Sequence, residues 1–189
     1  MSNKLDRRKK YTRMVLKESL MKRLQEKPIS SITIKEICEL ADINRSTFYS
    51  HYSDLYDLLY QMEDEILEDI SQTMVSCSYT EDEEAIQMTT RLLEYLAENR
   101  EICQTLFSEH GDPTFQKKVM MFAREYVLKT PPIDNNSTDR ETSEYLSLYI
   151  ANGSIYVIQH WLNNGLKQSP EEMAELIIKL GMKGLSSFQ

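Results

Sequence analysis

The sequence predicts an all-α chain of about nine helices, and three observations carry that reading. Apolar residues recur at three- and four-residue spacing through most of the chain, which is the period of one helix face. No stretch sustains the period-two alternation that a half-buried strand needs. The five glycines, Gly111, Gly153, Gly165, Gly181 and Gly184, all fall late, so nothing before Gly111 carries the commonest backbone breaker. With 189 residues, 41% of them apolar and 28% charged, the chain is long enough for one compact domain or for a small domain joined to a larger one.

The first helix is expected from about Asp6 to Glu26, with Val15, Leu16, Leu20 and Leu24 on its buried stripe. Arg7, Arg8, Lys9, Lys10 and Arg13 make its start basic. Lys27-Pro28 ends it, because proline disfavours the α region in the residue before it. Thr33 then opens a capping box with Glu36, in which hydroxyl and carboxylate satisfy the free N–H groups of a helix start. Ile34, Ile37, Cys38 and Ala41 form the apolar stripe of this second helix, with Lys35, Glu36 and Glu39 on its wet side. Asp42 and Ile43 make a cramped turn. Asn44 caps a third helix that begins Arg45, Ser46, Thr47 and is locked by Phe48 and Tyr52.

Asp54 caps a long fourth helix with Leu55, Leu58, Leu59, Met62, Ile66 and Ile70 on one face. Its outer face is expected to hold Glu63, Asp64, Glu65, Glu68 and Asp69. Helices follow at about 82–98, 99–108 and 113–129, the last opened by Asp112-Pro113. The stretch 130–139, T-P-P-I-D-N-N-S-T-D, has turn formers and no periodicity, and reads as a loop. A long helix is expected from about Glu141 to Asn164, stopped by Asn163-Asn164-Gly165. Ser169-Pro170-Glu171-Glu172 caps a last helix through Met173, Leu176, Ile177, Leu180 and Leu185. The final two helices form an antiparallel pair.

Several classes are set aside by what the sequence lacks. No run of 18 or more apolar residues suggests a membrane span. The start M-S-N-K-L-D-R-R-K-K has no apolar signal core, so a cytoplasmic protein is expected. Cys38, Cys77 and Cys103 match no metal spacing or redox pair. No glycine-rich phosphate loop, metal cluster or nucleophile elbow appears, so no catalytic residue, metal or cofactor is expected.

The stretch 33–52 is a helix-turn-helix pattern, with short polar and cationic side chains at the start of its second helix. In such motifs that end enters the major groove of DNA. An ordinary bundle also contains capped helix pairs, and charge separates the two readings. Residues 1–53 hold 12 Lys and Arg against 6 Asp and Glu, so the rest of a chain of net charge −8 carries −14. An acidic chain with a basic end next to a reading helix favours DNA. The expected division is a DNA-binding domain at 1–53 and a helical domain at 54–189.

The residues now on the page resemble the TetR/AcrR family of bacterial transcriptional regulators. The resemblance covers about 10–60 and rests on the Thr33-I-x-x-I opening, Ala41, R-S-T-F-Y-x-H-Y from Arg45 to Tyr52, and Leu58-Leu59. Tyr56-D-L-L resembles the branch that includes regulators of dihydroxyacetone metabolism. The run from Tyr145 through H-W-L-N-N-G-L-K-Q-S-P-E-E is similar to the closing helices of one branch, which pair with their counterparts in a dimer. Two departures stand out: Asp42 sits where the family usually has glycine, and Leu55 sits where it usually has a phosphate-touching lysine.

The resemblance implies a homodimer on a pseudo-palindromic operator, commonly a repressor released by a small molecule. The rival reading is a coregulator or activator whose C-terminal domain binds a protein partner. Carried over by position, Thr33 and Lys35 lie near the DNA backbone, and Asn44, Arg45, Ser46, Thr47, Tyr49 and His51 lie on or near DNA. Arg45 is the residue expected to read guanine, because its fork bonds O6 and N7 together. Tyr49 and His51 are expected to hold phosphates. An effector pocket among the middle helices is expected from Met88, Leu92, Tyr95, Phe107, Phe122, Tyr126, Tyr149, Asn152, Tyr156 and Gln159. The dimer contact is expected to involve Tyr145, Trp161, Leu176 and Leu180.

Overall fold

Local capping chemistry sets where most helices begin. In the computed structural model, which describes residues 2–75, 82–128 and 139–185, the helices are α1 (Ser2–Leu24), α2 (Ile34–Leu40), α3 (Arg45–Tyr49) and α4 (Leu55–Val75). There follow α5 (Asp82–Glu98), α6 (Arg100–Leu106), α7 (Pro113–Leu128), α8 (Arg140–Asn163) and α9 (Pro170–Leu185). A single 3-10 turn, Ile29–Ser31, joins α1 to α2. The described residues thus form nine α-helices and no strand, as the periodicity predicts. No helix among them is long and apolar enough to cross a membrane. Cys77 and most of the predicted 130–139 loop lie outside the described residues. Asp139, at the edge of that loop, caps α8 by accepting the Thr142 N–H at 3.0 Å.

The chain divides into two compact units, Met1–Leu67 with Thr105–Asp112, and Glu68–Gln104 with Pro113–Gln189. The first has Leu16, Leu20, Leu24, Ile37, Phe48, Leu58, Leu59 and Leu106 fully withdrawn from solvent. Each such side chain stabilises the fold by roughly 1.5–3 kcal/mol relative to exposure. Gly111 is required where it stands, since a Cβ there would fall 2.0 Å from the Leu106 carbonyl oxygen.

Two expectations are corrected in this unit. The first helix starts at Ser2 and stops at Leu24, earlier at both ends than the apolar stripe suggests. The arginines and lysines that precede the stripe are good helix formers and carry the helix back. At the other end Glu26 bonds Arg23 in a tighter turn. Glu63 is the second correction: it is fully buried, whereas Asp64, Glu65, Glu68 and Asp69 are exposed. It stands four residues after Leu59 and three before Ile66, so the apolar stripe of α4 carries it inward regardless of its charge.

In the second unit α5 packs chiefly on α9, and α7 chiefly on α8. Ala151 and Ala174 are buried, along with Met88, Leu93, Phe115 and Met173. The end of α8 is held from α6, because Arg100 Nε and Gln104 Nε2 both donate to the Leu162 carbonyl, at 2.7 and 2.8 Å. The turn into α9 uses Gly165 at φ 89 and Leu166 at φ 54. Trp161 fastens it, accepting the Leu166 N–H on its carbonyl and donating its indole N–H to Gln168 O at 3.0 Å. Ser169 and Glu172 then form the capping box of α9.

Candidate nucleic-acid interface

The interface is built from two caps and one turn. Thr33 accepts the Glu36 N–H at 3.3 Å, and the Glu36 carboxylate accepts the Thr33 N–H and hydroxyl, both at 2.8 Å. Lys27 adds a bond to the same carboxylate at 2.6 Å. Lys27, then Thr33, hold Glu36 well below the ordinary 4.5, at about 2. A depressed carboxylate stabilises the fold at pH above its unfolded value and loses that contribution as pH falls through the folded one. The stability advantage of the wild-type chain over Glu36→Gln should therefore be full above pH 4.5 and gone near pH 2. Melting curves of the two proteins across that range check it, and a constant difference would count against the cap.

Between the helices the backbone turns at Asp42, whose φ is 52. Asp42 thus occupies the left-handed region that glycine fills in the family pattern. For an L-residue that conformation costs roughly 1–2 kcal/mol, less for Asp than for most. Asp42→Gly should raise stability by up to about 1 kcal/mol, because relief of the strain outweighs the added chain entropy of glycine. Denaturant midpoints measure this, and a lower midpoint for the variant would contradict it.

Asn44 caps α3, accepting the Thr47 N–H at 2.8 Å. The cap leaves Arg45 and Ser46 exposed at the start of α3 and Thr47 half-buried behind them. Phe48 and Tyr52 face the core at 0% and 2% exposure, while Tyr49 stands 57% exposed on the opposite side. His51 is half-buried, and its pKa is lowered by that burial and by the positive charges of Arg13 and Lys9. Both causes favour the neutral imidazole. It also follows that the basic start of α1 lies close enough to α3 for its field to reach His51.

Thr33, the cap of α2, and Lys35 on that helix are exposed, and Lys35 makes a long 3.7 Å pair with Glu39 on its own helix. All eight residues expected at the DNA thus fall within one unit, on α2, α3 and the turns beside them. Leu55 is buried at the start of α4. The position where the family carries its phosphate-touching lysine is here part of the core.

The residues expected around an effector fall in several places. Tyr126 donates its hydroxyl to Met88 Sδ at 3.3 Å, and Tyr95 donates to Asp69 at 2.9 Å. Leu92, Phe122 and Gln159 are half-buried in the second unit, and Phe107 is half-buried in the first. Tyr149 and Tyr156, 80% and 73% exposed, stand with Asn152 on the outside of α8. Of the residues expected at a dimer contact, Tyr145, Leu176 and Leu180 are exposed and Trp161 is buried. The sequence reading missed a half-open apolar groove of about 920 Å³ along α8 and α9, where Ile150, Gly153 and Val157 face Ile177, Leu180 and Gly181. Its signal was present, since α8 carries apolar residues on more faces than one core contact needs. Among the described residues no cluster of His, Cys, Asp or Glu could hold a metal ion.

Residues 83–183, more than half of the chain, match the TetR C-terminal family described as "Transcriptional regulator C-terminal region". The chain belongs to the TetR family of transcriptional regulators. It is 25% identical over 169 residues to the "Uncharacterized HTH-type transcriptional regulator YxbF" of Bacillus subtilis (strain 168). That alignment covers 87% of this chain and 43% of YxbF, so this TetR-family chain spans less than half the length of that relative. Three solved structures share its fold. A TetR transcriptional regulator from Streptococcus agalactiae 2603V is 21% identical with a TM-score of 0.67, covering 96% of this chain and 99% of its own. NalD, the secondary repressor of the MexAB-OprM multidrug efflux pump in Pseudomonas aeruginosa, is 15% identical at TM-score 0.63, covering 92% and 96%. The dihydroxyacetone kinase operon activator DhaS is 20% identical at 0.60, covering 94% and 98%. The family and the curated relative are both described as transcriptional regulators, the latter of helix-turn-helix type.

Proposed function

We propose that this TetR-family chain is a homodimeric repressor that holds a pseudo-palindromic operator with two copies of α3 and is released by a small molecule taken up in residues 54–189. The observation that carries the DNA reading is the capped helix-turn-helix with Arg45 and Ser46 exposed, in a unit whose first helix starts basic. Phosphate contact would come from Tyr49, His51 and the α1 cations, and base reading from Arg45, Ser46 and Thr47. With Leu55 buried, one of the family's phosphate anchors passes to these groups.

The dimer reading is supported by the α8/α9 surface. Tyr149, Leu176 and Leu180 are exposed along the apolar groove, and Tyr145 and Tyr156 are exposed elsewhere on α8; monomeric proteins rarely leave a large apolar surface bare. A second copy of this chain covers it by pairing α8 and α9 with their counterparts. The effector reading is supported by the part-buried Met88 and Tyr126 contact inside the second unit, where a thioether and a hydroxyl meet.

NalD, a repressor by name, supports repression. DhaS, an operon activator by name, supports the opposite sign. A reporter driven by the selected operator, with and without the protein, decides between them.

The test begins with selection of bound sequences from random double-stranded DNA. A pseudo-palindrome with half-sites about one helical turn apart is expected. Affinity should fall steeply between about 50 and 200 mM salt as counterions are released. Sedimentation should give twice the chain mass for the wild type and the chain mass for Leu180→Glu, a change at an exposed position. Salt-insensitive binding, or a wild-type monomer, would overturn the corresponding half of the proposal.

A further inference from the structure

The turn between α8 and α9 is held at three points. Asn164 donates its side-chain amide to the His160 carbonyl at 2.7 Å, the Leu166 N–H bonds the Trp161 carbonyl at 3.3 Å, and the Trp161 indole donates to the Gln168 carbonyl at 3.0 Å. Leu166 sits at φ 54, a left-handed conformation that a leucine keeps only where its surroundings fix the chain. Fixed in this way, Lys167 and Gln168 close one side of a half-open pocket of about 320 Å³ between the end of α8 and the start of α9. Val157, Trp161, Met173 and Leu176 give the pocket its apolar surface. With its N–H committed to Gln168, Trp161 offers only its ring.

The charge of this pocket runs against that of its surroundings. Residues 54–189 carry −14, yet the lining holds Lys167 and His160 and no carboxylate. Both side chains are exposed, and neither has a hydrogen-bond or ion-pair partner among the described residues. Two acids on the first turns of α9 are engaged elsewhere, Glu172 with the Ser169 N–H at 2.9 Å and Glu175 with Lys179 at 2.5 Å. We propose that the pocket binds a small organic anion, a carboxylate on a short aromatic or aliphatic body. The Lys167 ammonium supplies the opposite charge and the His160 imidazole a further N–H donor, while the body packs on Trp161 and Met173. The volume lies at the low end of ligand pockets, which limits the occupant to a small molecule. This site goes beyond the effector reading above, since neither Met88 nor Tyr126 lines it. Val157 and Leu176 also line the apolar groove assigned to the second copy, so that copy is the rival occupant.

Trp161 is the single tryptophan of the chain, so its emission reports on the pocket directly. The test titrates the full-length protein with benzoate, with benzamide as the neutral molecule of the same shape, and with inorganic phosphate as an anion that lacks a body. Benzoate should change the emission along a curve that saturates at roughly millimolar concentration. Benzamide and phosphate should not. Lys167→Gln should weaken benzoate by roughly 5- to 10-fold, the exposed position keeping the effect below that of a buried pair. Lys117→Gln removes a cation from the exposed face of α7, away from the pocket, and should leave the curve unchanged.

A linear, unsaturable response to benzoate and benzamide alike would mean collision at the surface and overturn the site. Equal losses in Lys167→Gln and Lys117→Gln would overturn it as well, by showing a general effect of charge. Saturable binding to Leu180→Glu with none to the wild type would mean that the second copy fills the pocket, and no small anion does. The dimer reading fails on a different measurement, the sedimentation of the wild type, so the two results stay apart.

Discussion

Replacing Phe48 with alanine should destabilise the first unit by about 3–5 kcal/mol. Phe48 has no exposed surface, and its ring meets Tyr49 edge-on at 5.6 Å and Tyr52 at 5.9 Å. It belongs to a helix of five residues, Arg45–Tyr49, far too short to persist in water by itself. Burial of this ring therefore holds α3 in place, and the Asn44 cap adds about 1 kcal/mol. A whole domain is stable by only 5–15 kcal/mol, so the loss is a large share of the total. The first transition in chemical denaturation should move to much lower denaturant, and specific DNA binding should fall with it. Tyr49→Ala is the control: an exposed neighbour on the same helix, it should shift stability by no more than about 0.5 kcal/mol. Equal shifts for the two variants would show that Phe48 does not anchor the helix.

Replacing Arg45 with alanine should weaken binding to the specific operator by roughly 1–3 kcal/mol while leaving the fold intact. The side chain is exposed at the first position of α3, so its removal opens no cavity. The loss should concentrate at one base position of each half-site, where discrimination against bases other than guanine disappears. Arg45→Lys should not restore it, because an ammonium lacks the planar fork that bonds O6 and N7 together. Competition binding with single-base operator variants measures the effect. Unchanged affinity for well-folded Arg45→Ala would remove the residue from the interface.

The parts of this chain that were legible in the sequence are those decided within a turn or two of backbone. Thr33 with Glu36, Asn44, Asp54, and Ser169 with Glu172 all cap helices where their side-chain chemistry says they should, because a cap is satisfied by a neighbour three residues away. Asp42 takes the left-handed turn expected of the residue in a glycine position. Phe48 and Tyr52 were readable as core from their place behind the reading face. Glu63 was not: its charge suggested solvent, and the stripe from Leu59 to Ile70 overrode it. The limits of α1 were also obscured, since charged residues extend a helix without marking its end.

The sequence by itself determined the all-helical class, the helix-turn-helix and the basic end of an acidic chain, since periodicity, capping and charge are local or additive properties. Only the tertiary structure decided which side chains those helices leave bare. Trp161 and Tyr145 look alike as large aromatics on α8, yet one is 4% exposed and fastens a turn while the other is 64% exposed. The same holds for the groove along α8 and α9. Exposure and hydrogen-bond direction depend on residues that meet in space, and the packing of the helices decides which residues those are.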